Sequence, residues 1–341
     1  MADRERRSVT IYEVAARAGV SIATVSRALR DSPLVAAPTR LRVRRVAEEL
    51  RFRPSRLARG LAEGQHAANG IVFPDLSGPY YAEVLLGYEA VVADLGRSVL
   101  ILTTHGRRHA AEAVLELAGR VDGLVVMGRT VDDEVVTRVA EAGQPVVLVA
   151  RPPVDRCDTV SADNGRDARA LAGHLLGHGY RRLAYLGDPA ESPDVLARYA
   201  GFAAALAAAG VTPPAGPVRC GFDVDAGHRA ARRLLARRDR PRALVCANDE
   251  VALGALTAAD ELGLAVPGEL AVTGWDDVMA ARYARLTTVR QPMRELGMTA
   301  ARWLHDRISG GTAAVRREVL PTELVVRSSC GNHDPESEVQ G

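Results

Sequence analysis

The chain has 341 residues, 47% of them hydrophobic and 25% charged, which is enough for two or three domains and a large buried core. No apolar run approaches the ~18 residues of a membrane span, and the opening MADRERRSVT is charged where a secretory signal is apolar, so a cytoplasmic location and no membrane partner are expected. The net charge of +2 hides an asymmetry: residues 1–63 hold fourteen Arg against seven acids and the remainder thirty against thirty-five, with no Lys anywhere. A basic head on a mildly acidic body is the electrostatic footprint of a nucleic-acid binder, and guanidinium groups suit bidentate contacts to phosphate and guanine.

The elements begin with a short helix over Ile11 to Ala18, whose Ile11, Val14, Ala15 and Ala18 fall on one face. Gly19 permits a sharp turn, and Ser21 is a natural N-cap for a second helix over Ile22 to Leu29. Two short helices joined by a Gly-containing turn form a helix-turn-helix, whose second helix offers its N-terminal residues to base edges in the major groove. A third helix is expected in TRLRVRRVAEELRFRP, stopped by Pro54. The segment SRLARGLAEG then contains Gly60 and is too short to be helical alone, so it should order only when something packs against it.

The run VTIYEVAARAGVSIATVSRAL, the third helix and PSRLARGLAEG together resemble the LacI/GalR family of bacterial transcriptional regulators. The resemblance implies that Ile22, Ala23 and Arg27 read bases. Arg27 can take a guanine bidentately, whereas Ile22 and Ala23 offer only apolar contact. Thr10, Ser21, Thr24, Ser26 and Thr39 are assigned to phosphates, which set register without specifying sequence. It further implies that residues 54–64 form a hinge helix on DNA, with Leu61 as a minor-groove wedge and Ala58 at the close contact between two hinges. An ordinary linker is the plain alternative. Val25, Ala28 and Leu29 are read as core, and Arg30 as either solvated or phosphate-facing.

From Asn69 onward, apolar strands (GIVFPD, SVLILTT, DGLVVMG, PVVLVA, RLAYLGD, ALVCAND, LAVTGW) alternate with helices such as YAEVLLGYEAVVADLG and RDARALAGHLLGHG. Alternation of this kind implies parallel sheets covered by helices, with a ligand held at strand C-termini. The resemblance implies a periplasmic-binding-protein-like body with chain crossings near residues 165, 291 and 323, a reading supported by NDEVALGAL, GWDDVMAARY and LTTVRQP. The expected fold is therefore an N-terminal all-α helix-turn-helix domain (1–53) and a hinge (54–64), followed by an α/β effector domain (65–330) of two doubly wound parallel-sheet lobes. Lobe 1 is expected over 69–164 and 292–323, lobe 2 over 165–290 and 324–330, and a polar tail over 331–341.

Effector contacts are expected just past strand ends. Arg198 matches the family position that grips hydroxyls or a carboxylate, and Asn248 and Asp276 can accept from sugar hydroxyls. Tyr80, Tyr81, Phe222 and Trp275 fall on lobe-facing loops by resemblance and would supply a stacking face for a sugar or a purine base. Phe222 and Tyr80 fit lobe packing equally well, and Asp249 and Asp277 fit helix capping or structural roles better than ligand contact. Ala150 stands where several sugar-responsive relatives carry Asp, so either Arg151 takes over and favours an anionic ligand, or the pocket is less polar.

No GxGxxG, P-loop, GxSxG or HExxH pattern occurs, so no cofactor, metal or catalytic residue is assigned and an enzyme is not expected. The carboxylates Asp249, Asp276 and Asp277 are the sole candidates for one. His105/His109 and His174/His178 have HxxxH spacing, and the four cysteines are scattered. The tail lacks the apolar heptads of a leucine coil, so a homodimer is expected. The expected function is repression at a pseudo-palindromic operator, released by a sugar-like effector. Co-repression by a purine-like ligand is the alternative, and a sugar-binding protein without a DNA role is a remote one.

Overall fold

A computed structural model describes residues 9–52, 66–212, 216–311 and 314–331, and the chain divides into two units between residues 67 and 68. The first unit is all-α: α1 (Ile11–Ala18), α2 (Ile22–Leu29) and α3 (Ala37–Glu49). Thr10 and Glu13 close a capping box on α1, with Thr10 N donating to Glu13 Oε2 at 2.7 Å and Glu13 N to Thr10 Oγ1 at 3.4 Å. Gly19 ends α1 with φ of 65°, and Val20 N returns to the Ala15 carbonyl at 3.1 Å. Ser21 caps α2 by accepting from Thr24 N at 3.2 Å. Val14, Ala15, Ala18, Val25, Ala28, Val35, Val43, Val46 and Ala47 form the head's buried core.

The third helix corrects the sequence expectation at its end. It stops at Glu49, well before Pro54, because Arg51 adopts φ of 52° and Phe52 N bonds the Ala47 carbonyl at 2.8 Å. That turn folds Phe52 back onto the head core. Residues 53–65, including Ala58 and Leu61 of the expected hinge, lie outside the described residues.

The second unit holds two parallel sheets. β1 (Ala68–Phe73), α4 (Pro79–Asp94), β2 (Ser98–Thr103), α5 (Ala110–Ala118), β3 (Leu124–Met127), α6 (Asp133–Glu141), β4 (Val146–Val149) and β5 (Asp158–Ala162) build lobe 1. Lobe 2 follows with α7 (Asn164–Gly177), β6 (Leu183–Leu186), α8 (Pro193–Ala208), α9 (Val224–Leu235), β7 (Ala243–Cys246), α10 (Asp249–Glu261), β8 (Ala271–Thr273) and α11 (Met279–Tyr283). The chain then returns through β9 (Thr288–Arg290) to α12 (Met293–Ile308) and β10 (Arg317–Leu320) of lobe 1, and leaves again through β11 (Glu323–Val325). Strand order is β10-β5-β4-β3-β1-β2 in lobe 1 and β6-β7-β8 in lobe 2, while β9 and β11 pair antiparallel at the crossing. β1, β3, β4, β6, β7 and β8 are buried along their length, as strands covered on both faces must be.

Helices in both lobes cross at glycine. A Cβ on Gly87 of α4 would lie 2.0 Å from the Arg294 carbonyl oxygen, and one on Gly297 of α12 2.0 Å from that of Val84. In lobe 2, Gly254 of α10 meets the Val224 carbonyl at 2.1 Å in the same way. The returning strand β10 is tied in by Asp158, which is almost fully buried and accepts from Arg307 Nε and Nη2 (2.9 and 2.7 Å) and from Arg316 N and Nη2 (both 2.8 Å). Burial alone would raise that carboxyl, but these bonds outweigh it and hold it below the usual range.

Candidate functional site

The head presents one face of α2. Val25 and Ala28 are buried, while Ile22, Ala23 and Arg27 are exposed, so the three residues expected to read bases share the solvent side of the helix. Ser21 and Thr10 are exposed at the N-termini of α2 and α1, and Thr24, Ser26 and Thr39 are partly exposed. Ser21 and Thr24 also bond each other, Oγ to Oγ1, at 2.9 Å. Arg40 closes the α2–α3 connection by donating to the Ser32 and Val35 carbonyls. Tyr12, between half-buried Ile11 and exposed Glu13 on α1, is 69% exposed.

In the body, polar side chains converge where α4 of lobe 1 meets α8, the β7–α10 turn and the β8–α11 turn of lobe 2. Arg198 of α8 is buried, with Nε donating to Asn164 Oδ1 and Nη1 to the Ala247 carbonyl, both at 2.7 Å. Its guanidinium carbon lies 4.6 Å from the ring centroid of Trp275, an attraction of cation and aromatic face. Asp276, next in sequence, has φ of 111°, a strained conformation for a residue with a side chain, and accepts from Gln291 Nε2 at 2.5 Å. Burial pushes its carboxyl up to about 6 against the opposing pull of Arg198. Burial and Asp276 likewise push Glu250 up to about 7. Tyr80 and Tyr81 enter from the N-terminus of α4 and stack edge to face at 5.3 Å. Both hydroxyls are held well above the usual phenol range, first by burial and then by the neighbouring carboxylates, which include Asp194 and Asp276 for each. The Tyr80 hydroxyl, Trp275 Nε1 and Gln291 Oε1 are buried without a hydrogen-bond partner, which marks a place where polar groups await a complement.

Arg198, Trp275, Asp276, Tyr80 and Tyr81 are thus brought together. Asn248 sits at the rim as the N-cap of α10: its Oδ1 accepts from Val251 N and its Nδ2 donates to the Phe222 carbonyl and to Glu250. Phe222 is half-buried against the lobe 2 core. Arg151 takes no part in the cluster and corrects the expectation that it replaces a missing carboxylate. Its guanidinium is buried, donating to the Gly128 carbonyl at 3.0 Å and to Asp133 at 2.5 Å, so its charge is already answered within lobe 1.

Asp249 and Asp277 hold the fold. Asp249 accepts from Thr288 Oγ1 and Val278 N, and Asp277 from Arg290 and Arg327. Asn164, Asp194, Glu250 and Gln291 were not anticipated as members of the cluster. Asp194 had a local signal, since it stands four residues before Arg198 on one helix. Asn164 and Gln291 had none, because they stand at two of the three chain crossings.

His174 of α7 and His178 at its C-cap stack edge to face at 4.8 Å, and Cys330 Sγ lies 3.4 Å from His174 Nε2. His105 precedes α5, so it does not share a helix with His109. Among the described residues no group of three or more His, Cys, Asp or Glu is placed to hold a metal ion, and no helix is long and apolar enough to cross a membrane.

Residues 10–55 match the family described as bacterial regulatory proteins, lacI family, and residues 172–330 match a periplasmic binding protein-like domain. The chain is 35% identical over 329 residues to the HTH-type transcriptional repressor PurR of Erwinia tasmaniensis, covering 94% of this chain and 96% of the relative. It is 32% identical to the catabolite control protein A of Priestia megaterium, covering 94% and 99%. Among solved structures, it is similar to the lac repressor dimer bound to operator and the anti-inducer ONPF, with a TM-score of 0.84 and 28% identity over 96% of this chain and all of the other. The complex of transcriptional regulator CelR with cellobiose matches with a TM-score of 0.70 and 31% identity over 94% and 99%. With a helix-turn-helix head, a two-lobed α/β body and these relatives along nearly its whole length, the chain belongs to the lacI family of bacterial regulatory proteins: it is a DNA-binding transcriptional repressor with a small-molecule effector, not an enzyme.

Proposed function

We propose that the protein binds a pseudo-palindromic operator as a homodimer and is released from it by a sugar-like effector held between the lobes. The observation that carries the effector reading is the buried Arg198, with Nε and Nη1 anchored and its face on Trp275, beside an Asp276 carboxylate on strained backbone. A planar donor, a carboxylate acceptor and an aromatic wall form the grip that sugar hydroxyls and a sugar face require. Tyr80, Tyr81, Phe222 and Asn248 complete that site. The relative whose solved complex holds cellobiose supports this choice.

A purine-like co-repressor is the second reading, favoured by the aromatic share of the same cluster. On DNA, Ile22, Ala23 and Arg27 read bases, and Thr10, Ser21, Thr24, Ser26 and Thr39 hold phosphates. Ala58 and Leu61 serve the hinge in the minor groove. Exposed Leu86, Ile101, Met279 and Tyr283 are the kind of apolar surface that a second copy would cover. A location in the cytoplasm accompanies this role.

A thermal-shift screen of the full chain against sugars and purines, with Arg198→Ala as control, tests the site. A compound that stabilises only the wild type supports it, and a compound that stabilises both moves the site elsewhere. Operator and random DNA then test the head. Arg27→Ala should lose discrimination by about 10- to 100-fold while keeping salt-dependent binding, and an equal loss on both DNAs rejects the assignment.

A further inference from the structure

The cleft carries more negative charge than its own cation answers, and one of its carboxylates does nothing to hold the fold. Asp194 lies in the first turn of α8, one turn before Arg198, so both fall on the same helix face. They do not pair. Arg198 directs its anchored donors to Asn164 and to the Ala247 carbonyl, and among the described residues Asp194 makes no hydrogen bond or ion pair.

An aspartate in a first helical turn is ordinarily solvated and favoured by the helix dipole. Asp194 is instead half-buried, its charge bears on Tyr80 and Asp276, and the partial loss of water pushes its carboxyl up despite Arg198. Glu250 adds a third carboxylate beside Asp276 and Asp75 a fourth beside Glu250, with Asp75 engaged by its own loop through Ser77. Among the described residues, Arg198 is the cation that bears on Asp194 and Asp276.

Two further groups point the same way. Gln291 is 4% exposed, and with Nε2 on Asp276 its buried Oε1 is left without a donor. The buried Tyr80 hydroxyl is also unpartnered and can accept. Buried acceptors and unpaired carboxylates are costly until a donor or a positive charge reaches them. A primary ammonium group brings both, with three donors, no acceptor and one positive charge. A phosphate or carboxylate would add to the repulsion.

We propose that Asp194 is a specificity-determining residue of the effector site and that, with Asp276, Gln291 and Tyr80, it selects a sugar carrying a primary ammonium group over the neutral parent sugar. This rests on the reading of the cleft as a sugar site.

Calorimetric titration of the full chain at about pH 6.5, where an amine is protonated, provides the test. The probes are D-glucosamine, D-galactosamine and D-mannosamine, each beside its parent hexose and its N-acetyl derivative, together with hypoxanthine and guanine. In at least one trio the amine should bind about tenfold or more tightly than both neutral members, about 1.4 kcal/mol. Asp194→Asn should bring the amine down to the affinity of its parent sugar, and a melting curve and an operator titration of the same variant show that it is folded. A parent or N-acetyl sugar that binds as tightly as the amine overturns the inference alone, as does a preference that survives Asp194→Asn. Binding of a purine and no sugar overturns it together with the sugar reading, and a panel in which no amine binds also overturns it.

Discussion

The two lobes share one construction and contribute unequal chemistry. Each is a parallel sheet whose helices approach closely at glycine, Gly87 with Gly297 in lobe 1 and Gly227 with Gly254 in lobe 2. Lobe 1 has six strands and offers the cleft two aromatic hydroxyls, Tyr80 and Tyr81, at the start of α4. Lobe 2 has three strands and offers Arg198, Asp194, Glu250 and Asp276, along with the positive φ of Asp276. Most of the charge and the strained Asp276 are therefore gathered in the lobe with the smaller sheet, while the other contributes the two tyrosines and, beside Glu250, Asp75. Such a division suits a switch, because a ligand seated on one lobe changes how favourably the other lobe closes.

The shared construction is the part most easily broken. Gly254→Ala and Gly297→Ala each drive a Cβ into a backbone carbonyl that cannot move without parting two helices. Each should cost about 3 kcal/mol or more, lowering the melting temperature of the body by roughly 10 °C in calorimetry. If only one variant melts early, the lobes do not depend on the same device.

The unequal chemistry is tested by a pair of variants. Asp276→Asn should weaken effector binding by about 100-fold, as loss of a buried charged partner does. Tyr80→Phe, which removes one neutral hydroxyl, should weaken it by less than about tenfold. Titration of both with the same ligand checks the asymmetry, and equal losses would mean that lobe 1 binds as strongly as lobe 2.

The smallest effect is a dependence on pH. Asp276 and Glu250 have folded pKa values raised to about 6 and about 7, above unfolded values of roughly 4. Between those limits the folded body holds more protons than the unfolded chain, so its stability falls as pH rises through that window. Ligand-free protein should melt a few degrees higher at about pH 5.5 than at about pH 7.5, and Glu250→Gln should reduce the difference. Asp158, held below its ordinary value, is already ionised across this range and adds no slope of its own.

How much of this was legible follows from how local each feature is. The capping box at Thr10 and Glu13, the turn at Gly19 and the solvent face of α2 are each set within a few residues, and the helices α1 and α2 span the residues that the apolar spacing predicts. The end of α3 was misplaced because Arg51 turns left-handed where no Gly or Pro announces it. The apolar strands were legible too. β5, with Asp158 at its head, was not, since its sequence DTVSA is short and polar and is held by Arg307 and Arg316 far along the chain.

Within the cleft, Arg198, Trp275 and Asp276 could be nominated from strand ends and family resemblance. Asn164, Glu250 and Gln291 could not, Asp194 only as the residue one turn before Arg198, and Arg151 is paired with Asp133 on another element of lobe 1.

The amino-acid sequence by itself determined the order of elements, the class of each domain and the exposed face of α2, because caps, turns and periodicity are written in neighbouring residues. The tertiary structure alone decided which charges are answered within the fold and which are not. That depends on side chains more than a hundred residues apart meeting in a place that excludes water, where one missing partner changes the chemistry of the whole site.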